Sequence, residues 1–436
     1  MNSEKLCTKI LDKIKPLCSQ ADIYYTESEE TTVSFKSNKL HSSETVYSRG
    51  MGLRAVIEGK VGFSSTNDPE RTDELINNTI ESSVFGQESR LHDFEKKEFE
   101  KTEGVYDEKT AATSAQDFLN NGEQLISKLN DFDPSLSNDI AFSKTVVNQK
   151  YMNTAGTTGN IRKSVYSESV ESLKVKEDGL LWAADGNTTI GYSPSIAPLS
   201  NKIAGLIKNA EHSVSPSGNE KILFMPEAVP SLLGALKLGM NGKILQKGSS
   251  PLKGMENKKL FDKNLSIIDN PSVPGMIASR NFDGDGIPCS PIPLVEDGVF
   301  KNFIFDSQTA GLLGRKSNGR AGRSYASLPA PSYSNLLIRA GDKTINEIMA
   351  CDDDLIVVYS VLGSGQSNML AGDFSLNLHL AFLSEKGEIK GRIKNAMVSG
   401  NVYEVLKNIP EISSDIKNFG SAEIPAFLLE GINISF

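Results

Sequence analysis

The chain has 436 residues, 38% of them hydrophobic and 23% charged, and carries a formal net charge of -9. That composition excludes general disorder and provides for a large core, in roughly three average domains or two big ones. The acidic balance, without any Lys- or Arg-rich block, excludes a surface built to neutralise phosphates, so no nucleic-acid partner is expected.

The first residues, MNSEKLCTKILDKIKPLCSQ, carry charges throughout and hold no apolar run of signal-peptide length. No stretch approaches the length needed to span a bilayer, so a cytoplasmic protein with no membrane partner is expected. Cys7, Cys18, Cys289 and Cys351 are scattered and form no C-x-x-C pair, which fits free thiols in a reducing compartment.

Leu6, Ile10, Leu11, Ile14 and Leu17 recur at helical spacing and predict a first helix. From Ile23 to Ser65 the period shifts to β-rich runs separated by Glu29-Glu30, Asn38 and Glu58-Gly59, which predicts an antiparallel meander. Thr72 to Phe85 is again helical. Glu88 to Lys109 is dense in charge and is expected to be a solvated connector. A helix over Ala111 to Leu129 follows, then strands near Ile140 to Gln149, Ser164 to Lys176 and Leu180 to Trp182, and a helix around Ile203 to Ala210. The Ser-, Pro- and Gly-rich stretch HSVSPSGNE, residues 212–220, is the expected boundary between an N-terminal α+β domain (1–212) and a C-terminal β-rich domain (220–436).

In the second half, Lys221 to Met225 reads as a strand, and Val229, Leu232, Leu233, Leu236 and Met240 fall at helical spacing. Asp297-Gly298 marks a hairpin turn. Asp283-Gly284-Asp285-Gly286 is read as a turn, because it lacks the further acidic positions of a calcium loop. Asp354 to Val361 is a strand, and residues 360–401 form a glycine-rich run followed by a hairpin. Phe374, Leu376, Leu378, Leu380 and Phe382 alternate with Ser375, Asn377, His379 and Ala381, then Glu385-Lys386-Gly387 turns the chain into a return strand over Glu388 to Met397. Val402 to Ile409 is expected to be helical, with a closing strand in PAFLLEGINISF. Strands outnumber helices here, so a curved sheet or partly closed barrel is expected.

A flexible glycine run beside a polar sheet face can receive an extended peptide through backbone hydrogen bonds. Gly363, Gly365, Asn368, Ser375, Asn377 and His379 are the candidate substrate-binding residues; the alternative is a core hairpin with a merely wet outer face. Gly363-Ser364-Gly365-Gln366-Ser367 is neither a nucleophile elbow nor a phosphate loop. His379 has no second histidine near it in sequence to make a metal pair.

Taken together, GMGLRAVIEGKVGFSST, the helix at Val229 to Met240 followed by KGSSPLKG, NFDGDGIP, GVFKNFIFDSQTA, PSYSNLLIRAG and AGDFSLNLHLAFLSEKGEIKGRIKNAMVSGN resemble the TldD/PmbA family, in its PmbA (TldE) branch. The resemblance implies a zinc peptidase whose TldD-type subunit carries a helical H-E-x-x-x-H motif and a C-terminal cysteine, paired with a PmbA-type subunit. Imidazoles and a thiolate hold the metal there, and the carboxylate takes a proton from bound water. Aligned on Leu232-Leu233, the motif's three positions fall here on Gly234, Ala235 and Gly239, and residues 418–436 contain no cysteine. The resemblance therefore implies a chain without catalytic residues, metal or other cofactor, inactive alone. Zinc is expected only in a TldD-type partner. The expected assembly is a heterodimer with that subunit, or a homodimer, acting on extended peptides; the alternative is a homodimeric peptide-binding or regulatory protein with no catalytic role.

Overall fold

The computed structural model describes residues 3–435 apart from 178, 219 and 364–367. Gly365 therefore lies outside the described residues. The architecture is α+β, with two sheets and helices distributed over their faces.

The N-terminal half begins with α1 (Ser3–Ile14), whose Leu6, Ile10, Leu11 and Ile14 form the buried stripe that the spacing predicts, whereas Leu17, expected on the same stripe, lies beyond the helix and is exposed because Pro16 ends it in a tighter turn. Next come β1 (Gln20–Lys36), β2 (Lys39–Ile57), β3 (Lys60–Thr66) and α2 (Thr72–Val84). β1 and β2 are joined by a tight turn in which Ser37 and Asn38 both take positive φ, and they pair along nearly their whole length. Beyond the connector lie α3 (Glu108–Ala112), α4 (Ala115–Phe132), β4 (Ser137–Asn153), β5 (Thr158–Lys176), β6 (Gly179–Thr189) and α5 (Ile196–Asn209). The single helix expected from Ala111 is two, because Ser114 and Asp117 build a capping box that starts α4 afresh. The sheet order is β3-β2-β1-β4-β5-β6, every neighbour antiparallel.

Strand period places odd-numbered residues of β1 on one face. Ile23 and Tyr25 pack under α1 and α2, while Val33 and Phe35 pack under α4. The even face carries Asp22 and Tyr24, which meet the C-terminal half.

The connector is not simply solvated. Its charged side chains point outward, but its backbone is strapped across the molecule: the amide of Phe94 donates to Gln20 Oε1 (2.9 Å), that of Lys97 to Thr157 Oγ1 (2.9 Å), and Ser164 donates to the Val105 carbonyl (3.1 Å). Phe99 stacks on Phe282 with centroids 4.6 Å apart, and Val105 is buried. Charge density alone missed these sparse apolar anchors.

The C-terminal half adds β7 (Ser213–Val214), β8 (Lys221–Phe224), α6 (Pro230–Gly239), α7 (Gly242–Gln246), β9 (Ile267–Asn270), β10 (Ile292–Glu296), β11 (Val299–Phe300) and α8 (Ser307–Leu312). A ribbon of β12 (Ala321–Gly322) and β13 (Ala330–Pro331) leads to β14 (Asn335–Ile338), α9 (Ile345–Cys351) and β15 (Asp354–Leu362). Then follow β16 (Asp373–Glu385), β17 (Glu388–Ile393), β18 (Met397–Asn401), α10 (Val402–Val405), β19 (Glu411–Asn418), β20 (Ala422–Leu429) and β21 (Asn433–Ser435). Thirteen of these strands form one mixed sheet, in the order β11-β10-β9-β14-β20-β8-β15-β16-β17-β7 with β18, β19 and β21 branching from it. Among the described residues it does not close into a barrel. No helix among the described residues is long and apolar enough to cross a membrane.

Several expectations change in detail. The return strand is broken into β17 and β18 where Asn395 takes φ 54°. The closing strand is divided by Gly431 at φ 74°, and β19 was not anticipated. The helix after β18 is a single turn. The alternation in β16 is also not continuous: Phe374, Leu376 and Leu378 share a core with Ala381 and Leu383, whereas Leu380 and Phe382 join the cluster around α4 and α5. The β15–β16 register shifts at Val358/Ser360 and Ser360/Val361, and such an irregularity swaps the faces of everything beyond it. Ala381, expected on the wet face, is fully buried.

Candidate functional site

α6 starts at Pro230, which fixes φ and needs no helical hydrogen-bond partner at that position. Leu232, Leu233, Ala235, Leu236 and Gly239 are buried against the C-terminal core. The three motif positions lie on this helix and meet two other segments. A Cβ on Gly234 would come within 2.8 Å of the Met369 methyl, and one on Gly239 would run into the Tyr403 hydroxyl. Tyr403, from α10, also packs against Gly372 and donates to the Ala235 carbonyl at 3.1 Å. Its burial pushes the phenol up to about 12, so it stays protonated and remains a donor at neutral pH. Ser250 and Tyr333 take the carbonyls of Gly239 (2.6 Å) and Lys237 (2.6 Å), so the last turn of α6 is held by three hydroxyls.

The space that side chains at positions 234 and 239 would need is thus filled by a thioether and a phenol. Glycine, alanine and glycine supply no metal donor, and a neutral tyrosine hydroxyl is not a usual zinc ligand. The residues present do not fit a zinc ion. Among the described residues, no group of three or more His, Cys, Asp or Glu side chains is gathered in a metal-holding arrangement.

The hairpin enters the same region. Asn368 Oδ1 accepts from the Ala371 amide (3.3 Å), and Asn401 Nδ2 donates to the Ala371 carbonyl and to Asp373 Oδ1, both at 2.9 Å. These bonds fold the segment from Asn368 to Gly372 against α6 and α10. Gly363 takes φ 93°, closed to most side chains. Ser375 and Asn377 are exposed on β16. Over Asn377–Glu385 both edges of β16 are largely occupied, by β15 on one side and β17 or β18 on the other, whereas Asp373–Leu376 pairs only with β18 among the described residues.

His379 belongs to a different neighbourhood. Its Nδ1 lies 3.3 Å from Ser360 Oγ, its ring packs 5.2 Å from Trp182 of β6, and Arg392 donates to its carbonyl at 2.9 Å. Burial, and then the nearby Arg392 charge, lower its pKa, which keeps the imidazole neutral. Its contacts tie the hairpin to the N-terminal sheet and not to α6.

Sequence reasoning missed the most polar buried region, between the two halves. Arg54 of β2 donates from Nε and Nη2 to Asp22 Oδ2, with the Nε bond at 2.9 Å, and its Nη1 lies 2.8 Å from Asp285. Arg323 Nη1 reaches Asp22 Oδ1 at 2.7 Å. All four side chains are at most 3% exposed. The Asp283–Gly286 segment is a turn, as expected: Asp283 Oδ1 accepts the amides of Asp285 and Ile287, each at 2.9 Å, and Oδ2 accepts that of Ala321, also at 2.9 Å. Gly52 and Gly286 let the halves close on each other. Any side chain at 52 would strike the Tyr325 carbonyl, and one at 286 the Tyr151 ring. A sequence signal did exist: Asp22 and Arg54 are lone charges inside apolar strands, and a charge buried in a strand needs a partner.

Comparison with known proteins gives a consistent picture. A family model described as PmbA/TldA metallopeptidase C-terminal domain matches residues 217–436, and one described as PmbA/TldA metallopeptidase domain 1 matches residues 21–85. An uncharacterized protein of Methanocaldococcus jannaschii is 24% identical over 94% of this chain and 95% of its own length. A zinc metalloprotease TldD homolog of Saccharolobus solfataricus is 23% identical over 93% of this chain and 92% of its own. The crystal structure of TldE from Thermococcus kodakarensis superposes with a TM-score of 0.92 at 20% identity, covering 99% of this chain and all of that one.

Proposed function

Since the chain belongs to the PmbA/TldD metallopeptidase family, we propose that it is a non-catalytic subunit that pairs with a TldD-type, zinc-bearing partner and helps hold extended peptides for that partner to cut. The observation that carries this reading is α6, where glycine, alanine and glycine stand at the motif positions and Met369 and Tyr403 occupy the room that ligands would need. Support for the peptide role comes from relatives named metalloproteases, among them a zinc metalloprotease TldD homolog.

The test is to mix the purified chain with a TldD-type subunit, follow co-elution, and assay cleavage of unfolded peptides by each component and by the mixture. Co-elution with cleavage only in the mixture is expected; cleavage by the pure chain contradicts the proposal. A second reading, self-association without catalysis, draws on β2. Among the described residues, its residues 39–49 pair only with β1, an edge that carries exposed Val46 and Tyr47. Stable homodimers that ignore the TldD-type subunit would favour it.

A further inference from the structure

A cavity of about 140 Å³ lies at the junction of the two halves, between β2, the connector, α7 and α8. Two charged side chains that line it have no ion-pair partner among the described residues. Asp306 is 3% exposed, caps α8 by accepting the Thr309 amide at 3.2 Å, and is met by no Lys or Arg; Lys243, on the exposed side of α7, is met by no Asp or Glu. Arg54 also lines the cavity, but Asp22 and Asp285 already engage its nitrogens. The remaining wall is mixed: Val61, Leu312 and Leu328 form an apolar part, and Gln87, Gln246 and Gln308 line the rest.

A buried carboxylate without a counter-charge is costly, and a cation in the cavity would relieve it. A cavity of about 150 Å³ takes a benzene-sized guest, so this one holds about six non-hydrogen atoms. We propose that it binds a small α-amino acid as its zwitterion, with the ammonium group on Asp306, the carboxylate on Lys243 and a short side chain against the apolar part of the wall. L-Alanine has the matching size and charge pattern. The inference rests on this cavity alone and is independent of the subunit role proposed above.

The raised pKa of Asp306, about 6 and caused first by burial, agrees with a carboxylate awaiting a cation. Alanine binding should therefore weaken as the pH falls through about 6, where that carboxylate takes up a proton.

The experiment titrates the full chain with L-alanine, N-acetyl-L-alanine, which lacks the ammonium, and L-alaninamide, which lacks the carboxylate, followed by calorimetry or NMR shifts. Expected is an affinity of about 1 mM for alanine, a reasonable range for so small a ligand, with both analogues about tenfold weaker or worse. Asp306→Asn, an equally good helix cap, and Lys243→Met, at an exposed position, should each weaken alanine binding by about tenfold. If Asp306→Asn fails to fold, the analogue series and Lys243→Met still decide. Absence of alanine binding at tens of millimolar, or equal binding of alanine and N-acetylalanine, or unchanged binding by Lys243→Met, overturns the proposal.

Discussion

The junction between the halves and the surroundings of α6 are made of opposite materials. At the junction, Arg54 and Arg323 are sealed against Asp22 and Asp285. At α6, where catalytic relatives are expected to concentrate charge, there are two glycines, an alanine, a methionine methyl and a protonated phenol. The contrast teaches that the buried charge at the junction links the two halves, while α6 is packed by apolar side chains and hydroxyls.

The comparison can be broken first at the junction. Arg54→Ala leaves Asp22 and Asp285 buried without their shared cation and should cost about 3–5 kcal/mol, read from urea unfolding. A loss below about 1 kcal/mol, the level of a surface pair, would mean that the network is solvated and that the contrast is false.

The next largest effect is expected at α6. Gly239→Ala places a methyl on the Tyr403 hydroxyl and should destabilise by about 1–3 kcal/mol as overpacking. Adding Tyr403→Phe should recover part of that loss, with a coupling of at least about 0.5 kcal/mol in the double-mutant cycle. Strict additivity would show that the hydroxyl does not fill the glycine's space. Tyr403→Phe alone should cost about 1 kcal/mol, the value of one hydrogen bond to the Ala235 carbonyl.

The smallest effect concerns pH. Asp306 is raised in the folded chain, so the penalty for ionising it is absent below the usual carboxylate range and complete above about pH 6. Asp306→Asn should therefore raise the melting temperature at pH 7.5, by an amount that shrinks as the pH falls below about 6. A variant less stable than the parent at both ends of that range would contradict this account of Asp306.

Much of the scaffold was legible because local patterns decide it. The apolar spacing from Val229 to Met240 announced α6, and Lys386-Gly387, both at positive φ, form the expected hairpin turn. The bare motif positions at 234, 235 and 239 could be read directly as letters. What fills them could not: Met369 and Tyr403 lie far along the chain and reach α6 only through the folded hairpin and α10. The pairing of Asp22 and Arg54 with Asp285 and Arg323 was hidden for the same reason, since contacts so distant in sequence leave no periodicity. The face change in β16 was invisible because register depends on the neighbouring strand as well as on the strand itself. In the connector, a few anchors such as Phe99 and Val105 were outweighed by the charges around them.

The most direct test of the central claim is the metal content of the full-length chain, purified without chelators, equilibrated with excess zinc, desalted and measured by elemental analysis. With glycine, alanine, a thioether and hydroxyls beside α6 among the described residues, far less than one equivalent of zinc should be retained. One tightly held equivalent, released on substituting Tyr403 or Met369, would contradict the account.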